Sequence, residues 1–156
     1  MLRSKITCLC LSLILTSFCL GDENQDDGKT IDGTWLPAEI ELAGKKLPDE
    51  IRKTMKLVVA GDKYTVTVGN KSDKGTLDLD ASKSPKTIDI IGTDGPNKGK
   101  TILAIYEKSG DALRICYDLS GNDRPTEFKT KAGSQLFLVT YRPETPESPA
   151  QLMIEK

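Results

Sequence analysis

MKLVVAGDKYTVTVGNKSDKGTLDLDASKSPKTIDII, residues 55–91, is the stretch that decides the fold. It divides into the short apolar runs 55–59, 64–68, 75–79 and 87–91. Tyr64, Val66 and Val68 share one face, and residues 75–79 alternate cleanly between polar and apolar. Gly61-Asp62, the turn at 69–72 and the loop at 82–85 punctuate the runs. A strand shows successive side chains to opposite faces, and a tight turn joins antiparallel neighbours. The pattern therefore reads as consecutive antiparallel strands.

The same grammar continues in both directions. Upstream, TWLPAEIEL (34–42) sets Leu36, Ala38, Ile40 and Leu42 against Trp35, Pro37, Glu39 and Glu41. Pro37 has no N–H to give a ladder, so this strand is expected to bulge or lie on an edge there. Pro48, Asp49 and Glu50 open one short helix near 48–54, the only helix expected. Downstream, TILAIYE (101–107) is apolar on both faces, LRICY (113–117) follows the turn Ser109-Gly110-Asp111, and QLFLVTY (135–141) ends the series. The polar connection 118–134 is the longest internal one, where binding residues often sit and which serves equally as a lid over a barrel end.

Eight strands between residues 34 and 141 with almost no helix predict an all-β domain over 33–142. The expected architecture is a closed or nearly closed eight-stranded antiparallel up-and-down barrel, because closing a meander removes its exposed edges. A β-sandwich is the structural alternative. The interior of such a barrel is either filled by side chains or holds one small ligand. Residues 22–32, acidic and without periodicity, read as a flexible lead-in, and 143–156, with three prolines, as an extended tail.

Compartment is read from the first residues. Arg3 and Lys5 precede an apolar run, Ile6 to Leu20, and Gly21 offers a small residue for cleavage, so 1–21 is expected to be a secretory signal peptide. The run is shorter than the roughly 20 residues needed to span a hydrocarbon core. The protein is then exported, periplasmic or secreted, and meets a membrane only if Cys19 is lipidated or the signal stays uncleaved. Cleavage removes Cys8, Cys10 and Cys19 and leaves Cys116 without a disulfide partner. A buried, inert thiol is the ordinary state for such a residue. Losing Arg3 and Lys5 lowers the basic count from 22 to 20 against 23 acids, for a net charge of −3.

Composition excludes several functions. The chain has 22 basic and 23 acidic residues and so lacks the basic excess that marks a nucleic-acid partner. It contains no histidine, which removes Ser-His-Asp and Cys-His nucleophile pairs and histidine zinc sites. DGPNKGKT (94–101) nearly spells a phosphate-binding loop, but Asp94 stands where the first glycine belongs and a β-branched run follows where a helix is required. Asp78, Asp80 and Asp89 lack calcium-loop spacing and read as the wet faces of strands. No catalytic, metal-binding or cofactor motif emerges, and a non-enzymatic role is expected.

Gly33-Thr34-Trp35 is similar to the G-x-W signature of lipocalins, and Arg142 falls where their closing arginine would stand. The ordered set GTW (33–35), AGKKLP (43–48), TDGPNKGKT (93–101), AIYEKSGDALRICY (104–117) and RPTEF (124–128) resembles a lipocalin-like domain family abundant in planctomycete bacteria. The resemblance covers residues 31–142 and implies a lipocalin-like barrel in a bacterial envelope protein. It brings neither a ligand nor site residues. From the residues themselves, the barrel is expected to bind a small apolar or amphipathic molecule against some of Trp35, Tyr64, Tyr106, Arg114 and Tyr117. Arg142 is expected to stack on Trp35 at the barrel closure. The few aromatic residues favour a cavity. A filled barrel that serves as an envelope structural or protein-interaction module is the alternative.

Overall fold

The computed structural model describes residues 31–145. The expected signal peptide, the Cys19 lipidation site and most of the expected tail lie outside them. The chain order is β1 (Gly33–Leu42), β2 (Lys45–Lys46), α1 (Asp49–Arg52), β3 (Met55–Ala60), β4 (Lys63–Val68), β5 (Lys71–Asp80), β6 (Lys86–Asp94), β7 (Thr101–Ser109), β8 (Ala112–Asp118) and β9 (Leu136–Pro143). Every neighbouring pair is antiparallel. From β3 to β9 each strand pairs with the next, and β9 returns to β1. The result is a closed eight-stranded barrel with the two-residue β2 as a ninth strand on β1.

Closure runs from Trp35↔Pro143 to Leu42↔Phe137, and the register slips between Pro37 and Glu39. The slip lies beside the residue that cannot donate, as expected. It changes the phase of β1: Trp35 and Pro37 are buried before it and Ile40 after it. Beyond Trp35, β1 leaves β3, to which it is paired only through Gly33–Trp35. Two groups take up the carbonyls exposed there. Leu47 N donates to Ile40 O at 2.9 Å, and Arg52 Nη1 donates to Pro37 O at 2.9 Å. The short helix thus fills the gap that the proline-induced bend creates.

β5 begins at Lys71, earlier than its alternating part suggested, because a second register shift at Lys74/Gly75 hides the period. Gly75 is required by packing. A Cβ there would stand 1.9 Å from Ile91 O and 2.8 Å from Tyr64 Cε1, so β5, β6 and an interior ring meet where no side chain fits. Gly61, with φ of 62°, opens the two-residue turn between β3 and β4, a conformation that costs glycine no Cβ clash.

The core occupies the barrel interior. Ile40, Ile88, Leu113, Val139, Tyr106 and Tyr141 are among its most deeply buried members. Ile31 belongs to it as well, fully buried, although it lies in the stretch expected to be a flexible lead-in. Its apolar side chain finds the barrel mouth, and an acidic neighbourhood in sequence conceals this.

Gly75→Ala is expected to lower stability by about 1–3 kcal/mol, the usual cost of overpacking, or more because a backbone oxygen cannot rotate aside. The urea midpoint should fall with the slope unchanged.

Candidate functional site

Two regions have the chemistry to bind something: the barrel interior and the outer wall under the 118–134 connection. The interior is lined by alternate residues of all eight strands. Trp35, Tyr64, Tyr106 and Tyr117 all belong to it, as does Tyr141, so every tyrosine of the chain points inward. Phe137 packs beside them, its ring centroid 5.8 Å from that of Tyr117. The void left among Ile31, Leu57, Tyr64, Leu77, Ile88 and their neighbours is about 20 Å³. A water needs about 10–15 Å³, and small-molecule sites are typically about 300–1,000 Å³. The void among these residues is therefore too small for a carried molecule in this form. Leu, Ile and Val supply much of the lining, and Phe128 alone of the aromatics in the described residues stays outside.

The polar atoms of the interior are paired. Tyr117 Oη and Tyr141 Oη lie 3.3 Å apart. Tyr64 Oη donates to Asp73 Oδ2 at 2.8 Å. Asp73 Oδ1 accepts from Asn97 N at 2.8 Å, and Oδ2 from Asn97 Nδ2 at 3.1 Å. This buried carboxylate is the anchor of the TDGPNKG loop. The N–H groups of Lys98, Gly99 and Lys100 are spent on Gly95, Gly92 and Asn97 carbonyls, which leaves none of these three to cradle a phosphate. The near-match to a phosphate loop is a β6–β7 connection.

Burial raises the Tyr64 phenol well above its ordinary value, and the hydrogen bond to Asp73 adds to the effect. Burial likewise raises Tyr117 and Tyr141.

Arg114 and Arg142 are not interior. On β8, Leu113, Ile115 and Tyr117 face inward, so Arg114 and Cys116 face out. Arg114 bonds Glu107 at 2.6 Å and lies over the Phe128 ring with its Cζ 4.8 Å from the centroid. Arg114 is thus removed from the expected ligand-lining set. The expected stacking of Arg142 on Trp35 is also replaced. In the closing ladder Arg142 stands opposite Leu36, one residue out of phase with Trp35, so the two side chains lie on opposite faces of the sheet. Arg142 pairs with Asp111 on the surface, while Trp35 Nε1 donates to Ile31 O at 2.8 Å. The strands do close at these residues, but by backbone pairing.

The 118–134 connection is not a lid over a barrel end. It is a strap along the outside of β6, β7 and β8. Asp118 starts it by accepting from Ser120 N at 3.0 Å and Asp123 N at 2.8 Å. Burial works to raise the Asp118 carboxyl, but the donors around it outweigh this and hold it below its ordinary value. Arg124 then reaches the wall: Nη2 meets Asp89 at 2.6 Å and Nη1 donates to Ala104 O at 2.7 Å. Asp78 and Asp89 are directly opposed in the β5–β6 ladder, an arrangement of like charges that Arg124 relieves. Farther on, Cys116 Sγ lies 4.0 Å from Lys129 O, and Thr130 reaches Glu41 on β1. Burial raises the Cys116 thiol, which disfavours the reactive thiolate.

The strap is flanked by two concavities. One, of about 550 Å³, lies between Asp78, Asp89 and Pro85 on one side and Arg124 and Pro125 on the other. The second, of about 340 Å³, lies between Arg124–Thr126 and the ends of β8 and β9. Among the described residues no group of three His, Cys, Asp or Glu is placed to hold a metal ion. Comparison with protein-family models, with curated proteins and with solved structures finds no match. Sequence reasoning missed Ile31, Asp73 and Tyr141. The first lies outside any periodic run, and the second meets its partner Asn97 only through tertiary contact.

The linkage signs follow from these directions. Phenols raised by folding contribute stability that is fully present below about pH 10, the unfolded value, and is lost as pH climbs towards the folded ones. A lowered carboxyl contributes stability that is present above about pH 4 and is lost as pH falls through the folded value. Alkaline titration should therefore show phenolate absorbance rising in step with unfolding, not ahead of it. Asp118→Asn should flatten the acid limb of the stability curve measured by urea unfolding.

Proposed function

We propose that this protein is an exported, non-enzymatic, lipocalin-like barrel whose interior is filled by its own side chains and whose partner is another envelope protein met at the outer wall. The filled interior carries the reading: a void of about 20 Å³ leaves no room for a carried molecule in this form. The position of the larger concavities supports it. Both flank the same strap residues, Arg124, Pro125 and Thr126, so surface relief on a binding scale lies outside the barrel. Export rests on the leader-like residues 1–21, and the lipocalin-like relationship on GTW and the ordered motifs. An apolar cargo held between Trp35, Tyr64, Tyr106 and Tyr117, the first expectation, would need these rings to move apart.

The test combines native mass spectrometry with cross-linking in the envelope. Protein purified from its own envelope should show the bare polypeptide mass. A photo-reactive residue at Thr126 should capture a protein partner that one at exposed Val58, on β3, does not. A retained small molecule, or equal capture from both positions, would overturn the reading.

A further inference from the structure

An antiparallel meander turns at alternate ends of its barrel. The 43–54 connection, the turn at 69–70, the loop 95–100 and the start of the strap therefore gather at one end. The turns at 61–62, 81–85 and 110–111 gather at the other, with both ends of the described chain. Charge divides with them. Lys53, Lys71, Lys98 and Lys100 stand exposed at the first end, and none of their ammonium groups is paired among the described residues. At the far end Lys83 is paired with Asp80, and Arg142 with Asp111. The acids beside the four lysines offset little of their charge. Asp49 is held by Arg52, Asp94 stands opposite Lys74, and Asp73 is buried with Tyr64 and Asn97, which leaves Glu50.

The same end carries apolar side chains in the open. Ile51 is 42% exposed and Val68 43%, and Leu119 is exposed at the start of the strap. Hydrogen bonds join the segments that bear these residues and the lysines. Thr54 N donates to Ile51 O at 3.0 Å, Gly69 N to Thr54 O at 3.0 Å, and Asn97 N to Asp73 Oδ1 at 2.8 Å. Lys53, Lys71 and Lys98 thus come from successive neighbours along one arc of the rim. The overall balance of 22 basic and 23 acidic residues conceals this arc.

We propose that this end of the barrel docks on an anionic lipid surface, with Ile51 and Val68 entering the interface and the four lysines meeting the headgroups. Attachment to a membrane surface rests on buried apolar area together with attraction to anionic lipid. An acidic protein or polymer would draw on the lysines alone, whereas a bilayer uses the exposed Ile51 and Val68 among them as well. Docked in this way, the barrel holds both ends of the described chain away from the lipid. The proposal goes beyond the outer-wall role, and neither depends on the other.

Protein purified from its envelope is labelled with an NBD dye at Asn70→Cys, on the docking rim, or at Asp62→Cys, at the far end; Cys116 is buried. Vesicles of equal parts phosphatidylglycerol and phosphatidylcholine should brighten the Asn70 dye and shift it to the blue, and leave the Asp62 dye unchanged. Added salt should release the protein, because it screens the lysines. In the Asn70-labelled protein, Lys71→Ser with Lys98→Ser should weaken binding about twenty-five-fold, since each lysine near such a surface strengthens it about fivefold. Ile51→Ser should weaken it about tenfold through lost apolar burial. Circular dichroism checks each fold, and Val68→Ser carries the same test should Ile51→Ser not fold. The proposal fails if both dyes respond alike, if neither responds, if phosphatidylcholine alone binds as well, or if the lysine pair is removed without loss. Loss with the lysines but none with Ile51 or Val68 overturns the lipid surface in favour of an acidic polymer or protein.

Discussion

The ladder between β1 and β9 is the interaction on which the rest depends. Once it forms, the sheet closes into a ring, and the number of strands sets the interior width at a size side chains can fill. Each strand must then send alternate residues inward, so a chain with few aromatics still fills the space when all four tyrosines and Trp35 are placed there. The polar tips of those rings find partners inside, at Asp73 and in the Tyr117–Tyr141 contact.

Closure also leaves most polar chemistry to the outside, where ion pairs stand around the barrel, from Lys56–Glu144 on β3 to Arg124–Asp89 under the strap. A barrel with a packed interior has only its outer wall and loop ends to use, and here the strap occupies the wall of β6–β8. Arg124 does two jobs in one place. It offsets the opposed Asp78 and Asp89 and satisfies a second acceptor at Ala104 O. The other side of the barrel, where Leu36 and Val58 are exposed, carries no such covering segment among the described residues.

How much of this was legible in the sequence depended on the range of the interaction. Period two and the turns are local, and the eight barrel strands and the short helix followed from them. Pro37 announced the irregularity in β1 because a missing N–H acts locally. Faces and partners were not legible. Arg114 and Cys116 turned outward, and Arg142 fell on the opposite face from Trp35, because a single residue of register decides each case. Ile31 was hidden because one apolar residue among acidic ones has no period to betray it. Asp73 stands between a turn and the alternating run 75–79, where nothing local marks the contacts that Tyr64 and Asn97 bring to it.

The closing ladder also governs the order in which the molecule can be assembled. From β4 to β8, every strand meets the one before it, and each hairpin needs only a short loop closure. β1 is different: Trp35 pairs opposite Pro143, so the first strand to be made waits for the last. Contacts so distant in the chain form slowly, since the loop entropy must be surrendered before the pairing returns anything. Until β9 exists, β1 is a bare edge presenting Trp35 and Ile40. A chain that emerges N-terminus first therefore carries β1 without its closing partner until β9 is made.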